Sequence, residues 1–169
     1  MVDPREFLKT ALHLHGHECP DVILGLRAGA AAMNWLGVER SAEDQLLALV
    51  QFPEAGCFAD GVQAITGCTA GKGNARILGR GPLSLTLIEQ ATRRAVRVAP
   101  RGDTAPSRLP NEAAEAFLRR LLRAPEKQLL SVSAEFRYGA PSAAHPPSAP
   151  AEAIDGGLTV VKAGNTGEA

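Results

Sequence analysis

Three residues near the start of the chain, His15, His17 and Cys19, alternate at positions i, i+2 and i+4. In an extended segment such positions face the same way, so two imidazoles and a thiol can converge. Imidazole nitrogen and thiolate are preferred ligands of zinc and other late transition metals, and zinc is the default expectation for such a mixed set, with iron or nickel as alternatives. Cys19 also stands just before Pro20, where a helix is expected to begin. A thiol at a helix N-terminus meets the positive end of the macrodipole, which favours thiolate and nucleophilic chemistry, with His17 as its base.

A second group follows further along the chain. Cys57 precedes Asp60 by three positions, so both share a face of a short helix, and Cys68 comes later. Asp60 is suited to be a ligand, an orienting partner of a ligating histidine, or a general base. Taken alone, Cys57 and Cys68 read first as small buried hydrophobes, with Asp60 as a cap. Gly71-Lys72-Gly73 offers a cation and free backbone donors to an anionic group. It is not a phosphate-binding P-loop, because Gly67 stands one residue too near Lys72 and Gly73 replaces the hydroxyl residue. His13 falls on the preceding helix and is expected to be structural.

The elements that must carry these residues are legible in outline. A short helix is expected over 4–14 and a buried one over 20–36, rich in Gly and Ala so that another element can approach its backbone closely, and closed by Gly37. A buried strand follows at 46–52, then a helix over about 58–65 ending at Gly67, and a glycine-rich loop to Asn74. Strands are expected at 75–78, 83–90 and 95–98; in the second, Leu83, Leu85 and Leu87 alternate with Ser84 and Thr86. A proline-containing linker at 101–110 leads to an amphipathic helix over 111–123 and a last strand within 129–138. This predicts an α+β core, with a small mixed or antiparallel sheet packed against the buried helix at 20–36 and further helices. The core is expected to span 1–138, and 139–169, dominated by Ala, Pro, Ser and Gly, a flexible tail without a site.

Composition removes other classes. Eighteen basic residues balance eighteen acidic ones in 169, so nothing favours nucleic acid or an anionic membrane surface. Low net charge makes self-association easier. Asp3, Arg5, Glu6 and Lys9 interrupt the first apolar stretch, so neither a secretory leader nor a membrane span is expected. Three cysteines are an odd count for a disulfide framework, and reduced thiols in a cytoplasm are the simpler expectation.

The two blocks together, His15-Gly-His-Glu-Cys-Pro-Asp-Val-Ile-Leu-Gly-Leu-Arg-Ala-Gly29 and Cys57 followed by Asp60-Gly-Val-Gln-Ala-Ile-Thr-Gly-Cys-Thr-Ala-Gly-Lys-Gly-Asn74, resemble the E subunit of formylmethanofuran dehydrogenase. Arg93–Val98 fits the strand that follows the core hairpin in that family. The resemblance covers about residues 5–100, more loosely to 135. It implies an α+β domain, often a homodimer, with the motif cysteines and histidines gathered in one metal or active site. It also implies a link to molybdenum or tungsten enzymes of one-carbon metabolism, whose pterin and iron–sulfur centres belong to other subunits. On that footing His15, His17, Cys57 and Cys68 are the expected metal ligands, with Cys19, Asp60 and Lys72 as the expected catalytic groups. Longer members often carry a C-terminal zinc finger; no cysteine follows Cys68, so none is expected here. The alternative functions are a non-catalytic accessory or metal-carrier protein, and metal-free thiol chemistry at Cys19. The high Ala and Arg content suggests a GC-rich bacterial genome.

Overall fold

The structure, a computed structural model, describes residues 1–52, 56–102, 107–133 and 136–137. Asp3 caps a 3-10 turn over Pro4–Phe7 through its carboxylate, which accepts from the Arg5 amide, and α1 continues over Leu8–His15. Helix α2 runs over Pro20–Leu36 with Cys19 as its N-cap residue, Pro20 in its first turn and Gly37 as its left-handed C-cap. After β1 (Leu46–Phe52) comes α3 (Cys57–Thr66), which ends on the left-handed Gly67. The chain then forms β2 (Ala75–Arg80), β3 (Ser84–Glu89), β4 (Arg94–Pro100), α4 (Ala114–Arg123), one turn of helix α5 (Glu126–Leu129), β5 (Leu130–Val132) and β6 (Phe136–Arg137).

The strands form one mixed sheet in the order β2-β1-β3-β4-β5, with β6 also paired to β4. Among the described strands β1 and β2 pair in parallel, which requires a crossover such as the one α3 provides, and the other pairs are antiparallel. The fold is therefore α+β, as expected. Ala48, Val50, Leu85, Leu87, Val96 and Val98 point from one face of the sheet into the core shared with α2 and α3. On the other face Leu49, Ile88 and Ala95 make a smaller apolar cluster. No helix among the described residues is long and apolar enough to cross a membrane.

Helix α2 is buried along nearly its whole length, and its small residues explain how. A Cβ on Gly25 would lie 2.1 Å from the Phe58 carbonyl oxygen, and one on Gly61 would lie 2.2 Å from that of Val22. Further along, a Cβ on Gly29 would meet Ile65 at 2.3 Å. The helices thus touch backbone to backbone and run in the same sense, which sets their N-termini, and with them Cys19 and Cys57, at the same end. Buried Arg27 joins α2 to α4 by donating to the carbonyls of Leu121, Leu122 and Ala124, three of the acceptors left open where a helix ends.

One expectation shifts in detail. The last strand expected within 129–138 is instead the α5 turn, then β5 and β6. The tail from 139 on and part of the 101–110 linker lie outside the described residues.

Candidate metal centre

The site forms where α1 stops and α2 starts. His15 is the last residue of α1, and Gly16 then takes φ +90°, its amide donating to the Leu12 carbonyl at 2.8 Å. That left-handed conformation suits glycine, and nothing crowds the position, so the demand is conformational. His17 to Cys19 lead out of the turn to Pro20, which opens α2. The ligand atoms of His15, His17 and Cys19 all lie within 4.8 Å of one another. The two imidazole rings lie 4.4 Å apart, tilted by 40°. His17 and Glu18 are exposed, so the cluster opens to solvent.

His15 is held from both sides. Its side chain is 9% exposed, and its Nδ1 meets Asp60 Oδ2 at 2.8 Å. Its other nitrogen, Nε2, faces Cys19 Sγ at 3.6 Å. A carboxylate behind a ligating imidazole is the common way to orient it toward a metal. Zinc bonds of about 2.3 Å to sulfur and about 2.0 Å to nitrogen, at a tetrahedral angle, would set S and N about 3.5 Å apart. The His15–Cys19 spacing is close to that value, and the His17 ligand atom lies within 4.8 Å of both, so the donor set is compatible with a shared metal ion.

Burial pushes the Cys19 thiol up from its ordinary pKa, against the pull of the Val22 and Asp21 amides at the start of α2; the neighbouring Cys57 thiol adds to the rise. Cys57 therefore borders the cluster, although it stands outside the three-residue group. Asp60 joins it through His15, as an orienting partner.

Cys68 and Lys72 are not brought to this place. Cys68 lies beyond the opposite end of α3, and ten helical residues rising about 1.5 Å each separate those ends by about 15 Å. Its thiol is fully buried in the apolar core, and burial raises its pKa above the ordinary thiol value. Lys72 spends its ammonium on the Ser41 and Ala42 carbonyls. The glycine-rich loop is closed on itself: the Thr69 amide donates to Asn74 Oδ1, and Asn74 Nδ2 donates to the Glu43 carbonyl. It acts as a structural clasp between residues 41–43 and β2. His13 turns back on its own helix, with Nδ1 on the Lys9 carbonyl at 2.8 Å.

The contact that sequence reasoning missed is that of Gln63, whose Nε2 donates to Asp60 Oδ1 at 3.2 Å. Its spacing, i+3 from Asp60 on an expected helix, is the signal that could have found it.

Residues 14–135 match the profile of the FmdE family, described as the molybdenum formylmethanofuran dehydrogenase operon. The chain belongs to this family. A probable S-adenosyl-L-methionine-binding protein of Archaeoglobus fulgidus is 36% identical to it over 120 residues, 69% of this chain. The chain spans about a third of that relative's length, 32%. The crystal structure of an FmdE-like protein from Syntrophus aciditrophicus, of the tungsten formylmethanofuran dehydrogenase type, superposes with a TM-score of 0.60 at 20% identity. That match covers 80% of this chain and 73% of the other, and it supports the α+β fold.

Proposed function

We propose that this FmdE-family chain holds a divalent transition metal, zinc by the chemistry of its donors, on His15, His17 and Cys19, with Cys57 bordering the fourth position. The observation that carries the reading is the His15 imidazole, tied by Asp60 on one nitrogen and set 3.6 Å from Cys19 Sγ by the other. A zinc ion with one open position supplies a polarising centre for water or a carbonyl. Around it, this chain's residues orient the ligands and leave the cluster open on the His17 side.

In the proposed setting the protein is a cytoplasmic homodimer that serves a molybdenum or tungsten oxidoreductase of one-carbon metabolism. The family supports that setting, and the even charge balance is compatible with self-association. A pure carrier or accessory protein would use the same ligands with Cys57 closing the fourth position.

A second reading has its own observation. Cys19, His15 and Asp60 stand in the order nucleophile, base and orienting carboxylate, which is the arrangement of metal-free thiol catalysis. The base in that reading is His15, in contact with the sulfur, rather than His17.

Elemental analysis of protein purified without added metal separates the readings. About one ion per chain is expected, and cobalt substitution should give a thiolate-to-metal absorption band that Cys19→Ser loses. Absence of metal, with Cys19 readily alkylated near neutral pH, would overturn the metal reading in favour of thiol chemistry. S-adenosyl-L-methionine, named for the Archaeoglobus protein, is the first organic ligand to titrate into the cobalt form.

A further inference from the structure

We propose that Gln63 is a positioning residue that fixes which nitrogen of His15 carries the proton, and so points a bare Nε2 at the metal position. Its consequence for metal affinity rests on the metal reading above.

One chain of hydrogen bonds carries the orientation. The Ala70 amide donates to Gln63 Oε1 at 3.1 Å. A backbone N–H can only donate, so the side-chain atom facing it must be the oxygen of Gln63. The amide group of Gln63 is thereby oriented, and its Nε2, a donor only, is the atom that meets Asp60 Oδ1 at 3.2 Å. One oxygen of Asp60 is thus occupied as an acceptor. The other, Oδ2, meets His15 Nδ1 at 2.8 Å, and a carboxylate oxygen there requires Nδ1 to donate. A neutral imidazole with its proton on Nδ1 leaves the lone pair on Nε2. That is the atom 3.6 Å from Cys19 Sγ.

The backbone amide of Ala70 in the glycine-rich loop sets the orientation of the Gln63 amide, and Gln63 in turn holds the Asp60 carboxylate, whose acceptor-only oxygen sets the direction of the His15 bond. This also gives the loop a part in the site although Lys72 has none: its clasp presents the Ala70 amide to Gln63. Without Gln63, Asp60 loses the donor on Oδ1 and its carboxylate is free to rotate away from His15, whose two tautomers then become comparable.

The test uses the full chain and two variants, Gln63→Met, which keeps the length but loses both polar ends, and Gln63→Leu. Long-range nitrogen–proton NMR on the metal-free protein reads the His15 tautomer directly, and zinc titration against a competing chelator reads affinity. Wild type should show His15 protonated on Nδ1. Both variants should show a mixture and bind zinc more weakly than wild type, by less than the about 10- to 100-fold expected for losing the orienting carboxylate itself. Folded variants with the Nδ1–H tautomer intact and affinity within about twofold of wild type would overturn the proposal. So would a wild-type His15 protonated on Nε2, whatever the variants do. If wild type binds no zinc while Gln63 still governs the tautomer, the metal reading fails and the positioning role stands.

Discussion

Gly25 of α2 and Gly61 of α3 meet backbone to backbone: a Cβ added to Gly61 would lie 3.0 Å from the Gly25 Cα and 2.8 Å from the Leu26 nitrogen. Backbone cannot yield as a flexible side chain can, so the crossing is fixed by the absence of two side chains. It lies one turn or so inside both helices from Cys19 and Cys57, and it sets how those thiols approach.

Gly25→Ala or Gly61→Ala should therefore harm both stability and site. Forcing the helices apart should cost about 1–3 kcal/mol, the usual cost of overpacking, and toward the upper end because the contact is backbone on backbone. Chemical denaturation gives the stability, and cobalt absorption on whatever fraction stays folded gives the site. Either variant at wild-type stability would show that the helices have slack here.

The ligand roles make a graded series. Cys19→Ser and His17→Ala should lower metal content strongly, whereas His13→Ala should leave it unchanged, because His13 is spent on its own helix. Cys68→Ser should also keep the metal while destabilising the fold, since a hydroxyl replaces a buried thiol. Asp60→Asn should bind about 10- to 100-fold more weakly, as an orienting group and not a ligand. Elemental analysis of the set, purified side by side, ranks them. Metal loss in Cys68→Ser equal to that in Cys19→Ser would refute the ligand set.

Much of this arrangement is legible in the sequence. Pro20 and Gly37 bracket α2, and the alternation of Leu85 and Leu87 with Ser84 and Thr86 marks the face of β3 that enters the core. The i, i+2, i+4 spacing of His15, His17 and Cys19 is local, and the chain path between them is short enough for spacing to imply proximity. Cys57 and Cys68 show the limit. The helix expected between them is present, and it carries the second thiol to the other end of α3, away from the single site that the resemblance implies for the motif cysteines. Lys72 is similarly ambiguous, because a glycine-flanked lysine suits an anion and a pair of backbone carbonyls equally. The Asp60–His15 contact joins residues forty-five apart and depends on the Gly25–Gly61 crossing, which no local pattern encodes.

Thiol reactivity should divide the three cysteines. In metal-free protein treated with a mild dithiol oxidant such as diamide, Cys19 and Cys57 should form a disulfide with each other, since their thiols are neighbours. Cys68 should remain reduced and react only on unfolding, because it is buried at the far end of α3. Peptide mapping after differential alkylation reads all three. Bound zinc should block the reaction by holding the Cys19 thiolate. A Cys68 that is alkylated as fast as Cys57 in the folded protein would contradict the placement.

The entry to α4 should respond to acid. Arg120 reaches Glu112 through Nε at 2.9 Å and Nη2 at 2.7 Å, and the Leu109 amide donates to the same carboxylate at 3.0 Å. These bonds favour the ionised form, with the Arg120 side chain as the largest cause, and lower the Glu112 pKa to about 2. An acid whose folded pKa is depressed adds stability that is fully present above its unfolded pKa and lost as pH falls through the folded value. The contribution should thus be complete above about pH 4.5 and disappear as pH falls toward 2. Glu112→Gln removes the ionisation altogether, so the variant should be less stable than wild type at neutral pH, with the gap closing over that acidic window. Thermal unfolding of both proteins across pH 2 to 7 measures it. A gap that stays constant with pH would mean that the carboxylate's charge contributes nothing to the docking of α4, and that its shape alone is what Arg120 recognises.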